Sequence, residues 1–218
     1  MSSTHDITTT RSASRLPSSL RATRSVSKTT YSTVAMAFHW IIAVAIVGLL
    51  VSGFWMVDAI KVPATQMQAF EAYQLHKSLG LTVLVLTVLR LGWRLYKPPP
   101  ALPAHMGKWE RLGASASHAS FYILMIGMPL LGWAMVSASP FGLPTIVFGW
   151  FEWPHISYLT TVEDKAAVEG AFKVAHMVGG LIMVALLFLH IAAALKHHYV
   201  DRDDVMARMI PGLRPRRS

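Results

Sequence analysis

The chain has 218 residues, 53% of them hydrophobic and only 14% charged, which is one domain's worth of sequence with too few charges for an ordinary soluble surface. It holds ten histidines and no cysteine, so disulfide frameworks, iron–sulfur clusters, thiolate zinc sites, cysteine nucleophiles and covalent Cys-x-x-Cys-His haem attachment are excluded. A formal charge of +9 suits either nucleic acid or an anionic membrane face, and a mean hydropathy of +0.43 favours the membrane.

Residues 1–30 are rich in Ser, Thr and Arg, have no apolar face and read as a disordered basic cytoplasmic tail. Organellar transit peptides share that composition, but this segment lacks their amphipathic periodicity. No charge lies between Lys28 and Asp58, and Ala35 to Val57 is long enough to cross roughly 30 Å of hydrocarbon. A second span is expected from about Ala72 to Tyr96, with Lys77 and Arg90 snorkelling from either end of a short apolar stretch. The third runs from Gly113 to about Val136, because Pro140 and Pro144 interrupt the uncharged stretch beyond it. The Trp-, Phe- and Pro-rich run 140–154 reads as an interfacial loop in an aromatic belt. Val174 to Leu195 is the fourth span. The expected fold is all-α: an integral membrane four-helix bundle over 31–200, running up-down-up-down, with 201–218 as a second basic cytoplasmic tail.

Cations beside the span ends set the orientation. The N-terminal tail, the connection holding Arg90, Arg94, Lys97, Lys108 and Arg111, and the C-terminus together carry sixteen of the twenty. The opposite connections keep Lys61, Lys77, Lys165 and Lys173 beside Glu163, Asp164 and Glu169. Both termini are therefore expected in the cytoplasm.

Five histidines fall inside the spans, where an imidazole is costly unless bonded or liganded. With the first span running outward and the second inward, His39 and His190 share the cytoplasmic level while His76 and His176 share the periplasmic one. The 14 residues from His176 to His190, at about 100° and 1.5 Å each, put both imidazoles on nearly one face about 21 Å apart. Each then meets a partner from another helix at its own depth. That is the arrangement of two six-coordinate b-type haems, since a planar porphyrin needs two opposed axial nitrogens and no cysteine. Zinc is a rival for histidine sets, but these pairs are far apart and bring no carboxylate. Gly80, Gly179 and Gly180, one turn from their histidines, would admit a flat macrocycle or simply let helices pack closely. His118, at the cytoplasmic level, is an alternative iron ligand, a proton-relay residue or a partner for a haem propionate.

The segments FHW at 38–40, HKSLGLTVLVLTVLRLGWRL at 76–95, MPLLGW at 128–133 and LHIAAALKHHYVDRDDVMARMIPG at 189–212 resemble the bacterial cytochrome b561 family of dihaem membrane proteins. The resemblance covers about residues 31–213 and implies His39, His76, His176 and His190 as haem ligands, the same pairs that depth gives. It implies an inner-membrane oxidoreductase of the superoxide oxidase kind, which takes electrons from superoxide at the periplasmic face and delivers them to ubiquinone near the cytoplasmic one. The similarity includes Lys173, three residues before His176, and His197 with Tyr199 beyond His190. Lys173 is one of few cations on an acidic face and would attract an anion toward the outer haem; its plainer role is a snorkelling helix end. His197 and His198 lie at the inner interface, where a histidine can donate a proton to reduced quinone, and Tyr199 would be a further quinone contact. Lys77, Arg90 and Arg94 would pair with propionates or anchor helix ends. The competing expectation is a quinol-linked electron-carrier subunit that meets a periplasmic or membrane redox partner protein through 137–172. Nucleic acid is not an expected partner, because the cations flank spans and no aromatic-basic recognition surface interrupts them.

Overall fold

The computed structural model describes residues 30–103, 105–210 and 212–213. The tail expected over 1–30 lies outside these but for its last residue, as does 214–218. Helix α1 spans Thr33–Ala59, α2 Gln66–Tyr96 and α3 Lys108–Ala138; a single turn, α4, covers Ser157–Thr160, and α5 runs Lys165–Lys196. The four long helices are each long and apolar enough to cross a membrane. Their outer faces leave Val44, Val51, Ile123 and Phe188 uncovered, as a lipid-facing surface requires.

Every long helix exceeds the span expected from hydropathy, because polar residues extend it past the apolar run. The Ser32 hydroxyl accepts the Ala35 N–H and starts α1 two residues early. A 3₁₀ turn at Pro63–Thr65 leads into α2, which begins six residues before Ala72. The Glu110 carboxylate reaches back to the Gly107 N–H at the start of α3. Asp164 caps α5 by accepting from Ala167, and the helix starts nine residues before Val174, where the stretch KAAVEGAFK is a good helix former.

Helix α1 packs on α2, α2 on α3 and α3 on α5. Ile42, Ile46, Val83, Met125 and Met183, one or two from each long helix, close into an apolar core. Met183 lies seven residues from both His176 and His190, so this core separates the two histidine levels.

The aromatic run is not plain loop, and the fold is mostly helical rather than all-α. Strands β1 (Thr145–Val147) and β2 (Phe151–Trp153) pair antiparallel, with Phe148 and Gly149 at positive φ in the turn. Three-residue strands carry too little alternation to read from sequence. The hairpin is clamped to α2: the amide of Phe148 donates to the Ser78 hydroxyl, the amide of Ile146 donates to the Gln74 carboxamide oxygen, and the Gln74 amide group donates to the Pro144 carbonyl.

At the other end, α5 gives way to a π-turn at His197–Asp201, and Arg202 takes a left-handed conformation. The chain then folds back. The Trp40 indole donates to the Met209 carbonyl and Arg208 donates to the Ala101 carbonyl. Residues 201–210 are therefore fastened against α1 and the α2–α3 connection, and only their continuation retains the character of a tail in composition.

Candidate functional site

His76 on α2 and His176 on α5 face each other with ring centroids 6.3 Å apart. Behind each ring stands a glycine of a neighbouring helix. A Cβ at Gly53 of α1 would lie 3.2 Å from the His76 Cε1, and one at Gly132 of α3 would lie 3.3 Å from the His176 Cε1. The Ser52 hydroxyl donates to the Leu49 carbonyl and lies 3.3 Å from the His76 Nδ1. A hydroxyl has one proton; with that proton on the Leu49 carbonyl, Ser52 accepts from the His76 Nδ1–H, the tautomer that leaves Nε2 free to ligate.

His39 on α1 and His190 on α5 also stand 6.3 Å apart by ring centroid. His118 of α3 lies 6.1 Å from the same His190 ring, and Phe121 packs edge-on against it at 5.2 Å. The inner level is thus a group of three imidazoles. The Arg90 guanidinium lies 3.2 Å from the His39 Nδ1, and Arg90 and Arg94 both stand over the Tyr122 ring, at 5.8 and 5.9 Å. A guanidinium only donates, so His39 accepts at Nδ1 in this arrangement.

These separations leave room for a metal centre held between each pair. A metal–imidazole bond is about 2.0–2.1 Å, and the ring centroid lies about 1.1 Å behind the nitrogen, so two imidazoles on opposite sides of one metal have centroids about 6.3 Å apart. Both pairs meet that distance with nitrogen ligands alone, and the chain has no cysteine for covalent attachment. The residues present fit non-covalent b-type haem at each level. Of the three glycines singled out in the sequence, Gly80 faces open space, whereas Gly179 and Gly180 face Met128, whose sulfur occupies the place of a Gly179 side chain.

The other expected site residues are dispersed. Lys77 donates to the Pro144 carbonyl at 2.7 Å and so holds the hairpin. Lys173 is exposed on α5, one turn before His176. His197 is buried at the end of α5, its Nδ1 2.7 Å from Asp203, while Tyr199 is exposed and its ring packs on His198. Burial pushes the Asp203 carboxyl up, but the hydrogen bond from the Val205 amide, then those from His197 and His105, outweigh it and hold the group below the usual carboxylate range. Sequence reasoning missed Ser52, Gly53 and Gly132. Gly132 belongs to the MPLLGW run, yet no spacing ties it to a histidine on another helix.

The family described as prokaryotic cytochrome b561 matches residues 30–212. Cytochrome b561 homolog 2 of Escherichia coli (strain K12) is 33% identical over 180 residues, covering 83% of this chain and 90% of the relative. Probable superoxide oxidase CybB of Yersinia pestis is 27% identical over 193 residues, covering 83% of this chain and 96% of that protein. Cytochrome b561 homolog 1 of the same E. coli strain is 29% identical over 136 residues, 62% of this chain and 73% of the relative.

Proposed function

Because the chain belongs to the prokaryotic cytochrome b561 family of b-haem electron-transfer proteins, we propose that it carries two b haems and conducts electrons from superoxide at one membrane face to ubiquinone at the other. The observation that carries this reading is the equal 6.3 Å spacing of two imidazole pairs at two depths. His76 and His176 hold the outer haem, and His39 and His190 the inner. The relative named as a probable superoxide oxidase supports the choice of donor. The bundle runs up-down-up-down in a bacterial inner membrane with both termini cytoplasmic, as the distribution of cations favours.

Haem, when bound, supplies reversible one-electron chemistry. In balance, two superoxide anions become two molecules of O₂, and their two electrons with two protons convert ubiquinone to ubiquinol. The chain's own residues prepare each end. Ser52 fixes the His76 tautomer with Nε2 free. Arg90, once released from His39, and Arg94, both over Tyr122, provide countercharge for propionates at the level of His118. Lys173 draws the superoxide anion toward the outer level, and His197 and Tyr199 serve the quinone side. Ser52→Ala is expected to preserve the fold, because one such hydrogen bond contributes only about 0.5–1.5 kcal/mol. Losing this support of a metal-ligating histidine should weaken retention of the outer haem by about tenfold or more, measured by haem transfer to excess apomyoglobin.

The test is stopped-flow reduction of the purified protein by superoxide, with ubiquinol formation followed in the same sample. The wild-type rate should fall with ionic strength, since steering of a small anion is screened over a Debye length of about 8 Å at physiological salt. Lys173→Glu should slow the reaction severalfold at low salt and leave dithionite reduction unchanged. No reduction by superoxide in wild type rejects the superoxide arm. The second reading, a quinol-linked carrier for a redox partner protein, is favoured by one observation: the hairpin region leaves Phe141, Trp150 and Tyr158 largely uncovered. It predicts rapid reduction by quinol and neither dependence on Lys173 nor on superoxide.

A further inference from the structure

Away from the imidazole pairs, four side chains of metal-ligating type converge beyond the end of α5 from two separate stretches of chain. His197 opens the π-turn, Asp201 closes it and Asp203 comes after Arg202, whereas His105 belongs to the connection between α2 and α3. The His197 Nδ1 lies 2.7 Å from Oδ2 of Asp203 and 3.2 Å from Oδ2 of Asp201, and the His105 Nε2 lies 3.3 Å from the same Asp203 oxygen. The ligand atoms of His197, Asp201 and Asp203 all fall within 4.8 Å of one another.

We propose that His197, Asp201 and Asp203 form a site for a divalent transition-metal ion of the zinc class, which His105, 3.3 Å from Asp203, completes by turning in as the fourth ligand. In a tetrahedral site with bonds of about 2.0–2.1 Å, neighbouring ligand atoms stand about 3.3 Å apart. The His197–Asp201 and His105–Asp203 edges have that length, and the His197–Asp203 edge is shortened by the hydrogen bond that the ion would replace. Two imidazole nitrogens and two carboxylate oxygens suit zinc and its neighbours, whereas magnesium demands an octahedron of oxygens. Asp203 is 5% exposed and His197 11%, so half of the donor set is already withdrawn from water, and the 60% exposed His105 is the side from which an ion arrives. Lys196 already bonds the same Asp201 oxygen at 2.7 Å and Glu110 at 2.8 Å, so the ion displaces it from Asp201 and Glu110 retains it. The bound ion would staple the α2–α3 connection to the segment after α5. The site does not need the electron-transfer reading, and an ion on the His197 Nδ1 leaves its Nε2–H for the quinone side.

The test is calorimetric titration of ZnCl₂ into haem-replete, tag-free, chelator-treated protein, with MgCl₂ as the comparison. One zinc per chain should bind at micromolar concentration or below, with no saturable magnesium signal. His105→Ala should weaken zinc binding at least tenfold at unchanged haem content, and Asp203→Asn more; His155→Ala, at the opposite end of the molecule, should change nothing. Because His105 is exposed, its variant remains decisive if Asp203→Asn fails to fold. Absence of saturable zinc uptake overturns the proposal, as does uptake indifferent to His105→Ala, or equal binding of magnesium; the cluster is then an ion-pair latch.

Discussion

Replacing His176 by alanine is expected to lower the haem content of the purified protein from two per chain to one, and His76→Ala should remove the same haem. Both rings belong to one pair, 6.3 Å apart, and a porphyrin cannot bridge to the other level, about 21 Å away along α5. The two variants should therefore give the same residual reduced-minus-oxidised spectrum. His190→Ala should remove the complementary component. His39→Ala should be the mildest of the four, because His118 stands 6.1 Å from His190 and is the one spare imidazole at that level among the described residues; a weakened inner haem with an altered ligand field is expected there. Pyridine haemochrome stoichiometry and low-temperature spectra measure all four. If His76→Ala and His190→Ala gave the same spectral change, the pairing by depth would be wrong.

What is legible in the sequence depends on the kind of signal each feature leaves. A span leaves twenty or so apolar residues in a row, and a ligand histidine within it stands out because almost nothing else there is ionisable. Depth then comes from residue count alone, which is why His39, His76, His176 and His190 pair on sequence grounds. The ends of the helices are less legible. Gln66, Glu110 and Asp164 extend them by capping and propensity, effects worth far less per residue than burial and invisible in a hydropathy profile. The hairpin at 145–153 is hidden because it is held mainly by side chains of α2, above all Gln74 and Ser78, about seventy residues earlier in the chain. Contacts of that separation leave no local pattern. The same reason hides the support of the site. Ser52 and Gly53 act on His76 across a helix interface, and nothing in the order of residues says which face of α1 meets α2.

Those glycines carry the second large effect. Gly53→Leu and Gly132→Leu are each expected to abolish the outer haem and leave the inner one in place. A Cβ alone would already stand 3.2 Å from the His76 ring or 3.3 Å from the His176 ring, the only side chain among the described residues within 4 Å of it in either case, and the three further carbons of leucine would press on that ring harder than alanine does. Overpacking of this kind costs about 1–3 kcal/mol when neighbours can shift. Here the neighbour that shifts is the ligand itself, and a constellation must be held within about 0.5 Å to work, so haem retention should fail before the fold does. The alanine variants should be intermediate, since a contact of that length asks the ring to give by only a few tenths of an ångström. Gly48→Leu is the control: it lies on α1 as Gly53 does, but a Cβ there meets nothing within 4 Å. Haem stoichiometry, with helix content by circular dichroism in the same samples, separates loss of ligand geometry from loss of fold. Retention of two haems with an unchanged spectrum in Gly53→Leu would show that His76 does not work from the position the glycine gives it, and loss of the inner haem instead would assign Gly53 to the wrong level.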